Sequence, residues 1–314
     1  MQILFVFVDG IGLGEDDADV NPFARASLPA FERLAGGRRW VRAAPVVDLT
    51  DLVFRPLDAT LGVKGLPQSG TGQASLFTGV NCARLAGRHY GPYPHSNTRS
   101  VLAEKNIFRQ IEALERAADG TGADQPAAFA NAYPDRFFDY VKRTDRWTVT
   151  TRCCLESSVR IRTEADLRKG LAVPADLVGQ KWPGGGDDGM MPASEGDAAR
   201  RLLRIAARHT FTLFEYYLTD KAGHKQSMAS GERVLGSLDA LLSTLLDEMD
   251  SAETLLILTS DHGNLEDLST KTHTRNPVPL AACGAGADAL RAVRSIEDVT
   301  PAVLAHLADR SPAG

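Results

Sequence analysis

This 314-residue sequence predicts an α/β fold, a mostly parallel sheet sandwiched by helices, with a small inserted α/β cap. Three observations predict it. Apolar runs at residues 3–8 and 254–258 have the length and composition of strands buried on both faces, as in parallel sheets, and residues 211–218 read as a further strand. Helical periodicity lies between these runs. It is clearest over residues 231–249, where Val234, Leu235, Leu238, Leu241, Leu242, Leu245 and Leu246 share one broad face. Two Gly- and Pro-rich connectors, residues 87–94 and 182–192, bracket a segment of different character. The expected division is therefore a main domain of residues 1–84 and 196–314 with a cap of residues 85–195 inserted in it.

Composition bounds the function. Hydrophobic residues make up 43% and charged residues 24%, as in an ordinary globular domain. A net charge of -5 with no concentrated Lys/Arg run argues against a nucleic-acid partner and against an anionic membrane. The first eight residues are apolar but too short to span a bilayer, and they run into Asp9. Four cysteines show no CxxC or Cys/His spacing, so no disulfide framework is expected, and a cytoplasmic location is.

Taken in order, the first strand ends at Asp9-Gly10. The following Ile11-Gly12-Leu13-Gly14 is not a dinucleotide fingerprint, because Glu15 stands where the third glycine belongs. Residues 21–34 read as helix, with Phe23, Ala26, Ala30, Phe31 and Leu34 at helical spacing, and residues 40–47 and 53–61 as extended. Leu66 to Gly79 reads as a tight turn feeding a helix that starts near Gly72. A hydroxyl there meets free backbone N–H groups and the positive end of the helix dipole, which suits an alkoxide or a phosphate, and Ser and Thr are equally ordinary caps. Within the cap, residues 101–117 read as helix and residues 147–151 and 158–161 as mixed segments. The main domain resumes with a helix at 196–208 and the strand at 211–218, which runs into Thr219-Asp220-Lys221-Ala222-Gly223-His224. The long helix follows, then the strand at 254–258, Asp261-His262-Gly263-Asn264 and, in the next loop, His273. A strand at 279–283 and a helix at 300–308 with Pro301 in its first turn close the chain. His209 and His306 read as packing or surface residues.

Collected at strand ends, Asp9, Asp220, His224, Asp261, His262 and His273 mix carboxylate oxygens with imidazole nitrogens, a donor set that suits Zn²⁺ or Mn²⁺. Six groups exceed one tetrahedral site and suffice for two cations. Ions about 4 Å apart can clamp the attacking and leaving oxygens of an in-line phosphoryl displacement.

These motifs carry a resemblance. Asp9-Gly10, a Ser/Thr in a Gly-rich turn, Asp-x-x-Gly-His, Asp-His-Gly-Asn and His-Thr-x-Asn-Pro, in that order, resemble the alkaline phosphatase superfamily. Within it, the pattern is most similar to cofactor-independent phosphoglycerate mutases and phosphopentomutases. The resemblance spans residues 1–84 and 196–308 and implies an alkaline-phosphatase-like fold. By the family pattern Asp220, His224 and His273 hold one metal, and Asp9, Asp261 and His262 the other. The nucleophile stands four residues before a polar residue at the start of its helix. On that register Ser69 is the nucleophile, Gln73 takes the later position and Thr71 is the runner-up. The implied course is a phosphoserine, formed from a hydroxyl that a metal ion activates, on a small phosphorylated metabolite.

Gln73 stands where the mutases carry His, and the chain is shorter with a different cap, so isomerase (phosphomutase) and hydrolase (phosphatase) outcomes both stay open. Arg88, His89, His95 and Arg99 in the cap could hold a substrate phosphate or could be hinge-surface residues. Two other readings compete: a catalytically silent metal-binding sensor of a phosphorylated ligand, and a phosphodiesterase or sulfatase. The turn at Ser69 lacks the Cys-x-Pro-x-Arg pattern of sulfatases.

Overall fold

An apolar run with no polar alternation leaves neither face of a strand fit for water, so it needs cover on both sides. The computed structural model describes residues 1–117, 125–180, 182 and 190–309, so most of the second connector, 183–189, lies outside the described residues. Its strands are β1 (Gln2–Val8), β2 (Val47–Asp48), β3 (Leu52–Leu57), β4 (Ala127–Phe129), β5 (Phe211–Tyr216), β6 (Thr254–Thr259) and β7 (Val278–Gly284). They form one seven-stranded sheet in the order β2-β3-β7-β6-β1-β5-β4. β6, β1, β5 and β4 run parallel, whereas β7, β3 and β2 form an antiparallel margin.

β1 lies in the parallel block and feeds two cores by simple alternation. Ile3, Phe5 and Phe7 pack with Phe77 and Val303 on one side of the sheet. Leu4, Val6 and Val8 pack with Leu202, Leu235, Leu238 and Leu242 on the other. The leucine face predicted over residues 231–249 therefore belongs to the core. It is carried by the helix Met228–Glu248.

The segment expected as a cap is in part continuous with this sheet. It supplies β4, the edge strand beside β5. Its Leu102, Phe108, Ile111, Val149 and Cys153 join the same core as Ile3 and Phe5. Its Tyr93, Tyr133, Phe137 and Thr148 instead wall a cavity at the carboxyl ends of the strands. Ala127-Ala128-Phe129 is too short and plain a run to announce a sheet strand.

Several predicted elements are divided or shifted. The helix predicted over 21–34 is two, Pro22–Arg25 and Pro29–Leu34, because the residue before a proline is driven out of the helical region; Leu28 has φ -130 and ψ 70. Residues 101–117 form Arg99–Lys105 and Ile107–Ala117, broken at Asn106, whose amide accepts from Arg109 N at 3.1 Å and donates to Leu102 O at 2.8 Å. Residues 40–46 are not a strand. Trp40 is buried there and donates Nε1–H to Phe31 O at 2.6 Å. The mixed segment at 147–151 enters a helix, Val149–Leu155, capped by Thr148. All four cysteines are free, and among the described residues no helix is long and apolar enough to cross a membrane.

Candidate metal centre

Parallel strands open at their carboxyl ends on one edge, so residues following β1, β5 and β6 must meet there. Asp9 follows β1. Asp220 follows β5 in a short helix, Leu218–Gly223, that places His224 one turn later beside it. Asp261 and His262 follow β6. His273 arrives from the loop before β7, where Thr274 N donates to Gly263 O at 3.0 Å. Two glycines let these loops close. Gly10 has φ +73, and a Cβ there would lie 2.7 Å from Asp220 Cβ; a Cβ on Gly263 would lie 2.2 Å from Thr274 Oγ1.

Two clusters result. Asp9, Asp261 and His262 each offer a ligand atom within 4.8 Å of the others, and so do Asp220, His262 and His273. His262 Nε2 lies 3.3 Å from Asp9 Oδ1 and 3.5 Å from Asp261 Oδ2. His224, absent from both clusters, still sets its Nε2 3.4 Å from Asp220 Oδ2 and 3.3 Å from His273 Nε2. Asp9, Asp261 and His262, grouped together from the sequence, lie together in one cluster. In the other, His262, stacked on His273 at 3.7 Å between ring centres, stands closer than the half-exposed His224.

The donors suit cations. Each of the three outer ring nitrogens faces a backbone carbonyl: His273 Nδ1 to Pro67 O at 2.8 Å, His224 Nδ1 to Lys271 O at 2.8 Å, and His262 Nδ1 to Gly263 O at 3.3 Å. A proton on Nδ1 leaves Nε2 a lone pair directed at the cluster, the tautomer that metal-ligating histidines adopt. Burial holds His262 below its ordinary range, and burial with neighbouring His262 holds His273 down at about 4, so both rings are neutral. Burial first, then the charges of Asp261, Asp220 and Glu215, raises Asp9 well above the usual carboxylate range. Burial, then Asp220, pushes Asp261 up to about 7. Asp9 Oδ1 and Asp261 Oδ2 are buried without a hydrogen-bond partner. Lone pairs facing lone pairs across such distances are what a divalent cation satisfies.

Ser69 opens the helix Ser69–Thr78, three residues before the predicted start. Its Oγ lies 2.9 Å from His262 Nε2, at the junction of the two clusters. Thr71 is turned away. Its hydroxyl accepts from Tyr90 N at 3.1 Å and lies 3.3 Å from Gln68 O and 3.4 Å from Tyr90 O. Gln73, one turn after Ser69, donates Nε2–H to Asp9 Oδ2 at 3.4 Å.

Two supports were not read from the sequence. Asn264 donates to Asp220 Oδ1 at 2.6 Å and so aims that carboxylate. Glu266, 1% exposed, accepts from Gly12 N at 2.8 Å, Asn264 N at 2.7 Å and Asn276 Nδ2 at 2.9 Å, and also from the Thr274 hydroxyl. It ties the loop after β1 to both ends of the β6–β7 loop.

A cavity of about 400 Å³ adjoins Ser69, Asp9, Gln73 and Asp220. Its walls are Pro92, Tyr93, Tyr133, Phe137, Thr148 and Tyr217, with the buried Glu215 and, as its only cation among the described residues, Lys221. None of the four predicted cap residues lines it. Arg88 lies over the Tyr90 ring at 5.5 Å, His89 Nε2 is 3.3 Å from Val63 O, and His95 Nδ1 accepts from Asn97 N at 3.2 Å. Arg99 lines a separate cavity with Tyr90, Arg146 and Arg152. Proximity to a Gly/Pro connector says nothing about which way a side chain points.

Residues 190–309 match the family model of the Metalloenzyme superfamily, a span that holds every predicted ligand except Asp9. Among curated proteins, the chain is similar to the 2,3-bisphosphoglycerate-independent phosphoglycerate mutase of Mycoplasma pneumoniae. The two are 27% identical over 119 residues, 36% of this chain and 23% of that protein. The same enzyme of Haloquadratum walsbyi is 32% identical over 110 residues, 32% of this chain and 22% of that protein. The chain therefore spans about a quarter of the length of these relatives. Among solved structures, the cold-active alkaline phosphatase of Shewanella sp. superposes with a TM-score of 0.57 at 12% identity, covering 98% of this chain and 100% of that one. The alkaline phosphatase of the Antarctic bacterium TAB5 gives 0.53 at 11% identity, covering 98% and 97%. The fold is alkaline-phosphatase-like.

Proposed function

We propose that this alkaline-phosphatase-like chain is a metal-dependent phosphoryl-transfer enzyme that acts on a small phosphorylated metabolite through a phosphoserine at Ser69. The observation that carries the reading is the position of Ser69 Oγ, 2.9 Å from His262 Nε2, the one ring that stands in both ligand clusters. Asp9, Asp261 and His262 would hold one divalent cation, Zn²⁺ or Mn²⁺, and Asp220, His224 and His273 the other. When bound, such cations supply charge neutralisation at phosphate oxygens and a lowered hydroxyl pKa.

The chain's own groups do the rest. Ser69 attacks phosphorus, the bond from phosphorus to the ester oxygen breaks, and the leaving alcohol departs into the cavity. The macrodipole of the helix Ser69–Thr78 favours the incoming dianion. Lys221 is the cavity's cation for a further phosphate oxygen, and Gln73 braces the Asp9 carboxylate. Tyr93, Tyr133 and Phe137 exclude water from the part of the substrate that does not react. Return of the phosphoryl group to another substrate oxygen makes the enzyme a phosphomutase; transfer to water makes it a phosphatase.

The test is Ser69→Ala, assayed for phosphate release from an aryl phosphate with Mn²⁺ or Zn²⁺ present. Turnover is expected to fall by at least about 10³-fold, with metal content unchanged. Wild-type turnover in the variant removes Ser69 from the mechanism. Stoichiometric metal without turnover of any phosphate ester by the wild-type chain revives the sensor reading.

A further inference from the structure

A second cavity lies at the opposite end of β5, roughly 20 Å along the sheet from the metal centre at about 3.3 Å per residue. It encloses about 170 Å³ against the outer edge of β4, between Phe129, Arg160, Arg162, Arg208 and His209. Arg162 is the unusual member. It is 7% exposed, and its guanidinium makes no hydrogen bond or ion pair among the described residues.

The surroundings deepen the problem. Asp166 is the carboxylate that acts on Arg162, and it is already engaged by Arg160, whose two terminal nitrogens lie 2.9 and 2.5 Å from its oxygens. Arg208 stands on the rim with no counter-charge among the described residues, and His209 Nδ1 lies 2.7 Å from Gln125 O, which leaves Nε2 as its second polar atom. Among the described residues, three guanidiniums against one carboxylate leave the cavity cationic. Burial, then Arg160, lowers Arg162 only to about 10, so it stays charged at neutral pH. A guanidinium with no protein acceptor that lines a cavity keeps its N–H donors for what the cavity holds, and a bound anion with several oxygens can accept them.

We propose that this cavity binds a free tetrahedral oxyanion, inorganic phosphate, through Arg162 and Arg208, independently of the metal ligands. The chemistry is that of a planar guanidinium fork matched to phosphate oxygens. The size fits as well. A volume of about 170 Å³ admits phosphate with some hydration.

Equilibrium dialysis of the full chain against labelled phosphate tests this, with divalent metal present and again after chelation. One phosphate equivalent is expected to survive chelation. Arg162→Met is expected to weaken that equivalent at least tenfold and Arg208→Ala severalfold, with metal-dependent binding retained in both. In parallel, phosphate is expected to raise the Tm of the chelated wild-type chain, and that rise should shrink in either variant. Arg208 is exposed, so its variant reads the site even if Arg162→Met folds poorly. Complete loss of phosphate binding on chelation, or binding and Tm shifts of equal size in all three chains, overturns the proposal.

Discussion

Glu266 shows how much of the metal centre depends on a residue that holds no metal. Its carboxylate accepts from Gly12, Asn264 and Asn276 as well as from Thr274, so the loop after β1 and both ends of the β6–β7 loop share one anchor. Truncation leaves several buried donors unpaired, each at about 1–3 kcal/mol. Glu266→Ala is therefore expected to destabilise the metal-free chain by at least about 3 kcal/mol in urea unfolding, and Glu266→Gln by less. Metal titration should show a loss of about 10- to 100-fold in affinity for the Ala variant, as for other residues that orient ligands. An unchanged unfolding midpoint would mean that the two loops hold their places without it. Nothing in Asn264-Leu265-Glu266-Asp267 announces this role, since an acidic pair after a turn reads as solvated surface. The ligands were legible for the opposite reason. Asp9, Asp261 and His262 each follow an aliphatic run that can only be a buried strand, and His224 stands four residues after Asp220. Tyr133, Phe137 and Lys221 were not legible, because their meeting beside Ser69 depends on how the segment 85–195 folds back over the sheet.

At the scale of elements, the same logic of borrowed partners appears in the helix Pro29–Leu34. Its N-cap, Leu28, has no side-chain acceptor, and the sequence gives no other within reach. Asp239, in the middle of Met228–Glu248, fills the gap by accepting from Ala30 N at 2.9 Å and Phe31 N at 3.1 Å. A cap supplied from a distant helix ties the short helix down against the leucine core, where Phe31 is buried. Asp239→Ala should therefore cost about 1–2 kcal/mol in urea unfolding while leaving metal affinity unchanged. A stability loss below about 0.3 kcal/mol would mean that water caps the helix equally well. The long elements, β1, β5, β6 and Met228–Glu248, were readable because each carries enough periodic apolar residues to outvote local signals. The divided ones were not, because a single Pro29 or Asn106 decides the break and a helical period continues across it.

For the whole molecule, the sheet gathers negative charge at one edge, and the pH dependence of stability should report it. Relative to the unfolded chain, Asp261 is raised from 3.8 to about 7 and Glu215 from 4.5 to about 7, both chiefly by burial, and Asp9 is raised well above its ordinary range for the same first cause. Between the unfolded and folded values the native chain holds protons that the unfolded chain has released, so these carboxyls remove stability as pH rises through that window. His262 and His273 act in the other sense. Both are lowered by burial, so the unfolded chain takes up protons below 6.5 that the folded chain refuses, and they add stability as pH rises toward 6.5. The opposing terms overlap below 6.5. Above it the carboxyls act alone, and the chelated chain is expected to lose Tm from pH 6.5 upward through about 7 and beyond. Cations reverse the trend, because they bind deprotonated carboxylates and neutral imidazoles and therefore gain affinity as protons leave. At a cation concentration of about 100 Kd the gain is about 2.7 kcal/mol, or roughly 4 °C in a chain of this size. Thermal unfolding with EDTA or with Mn²⁺, repeated across that range, should show a gap between the two curves that widens with pH. A constant gap would mean that Asp9 and Asp261 keep their charges apart in solution, and with that the paired-cation reading of the centre would fail.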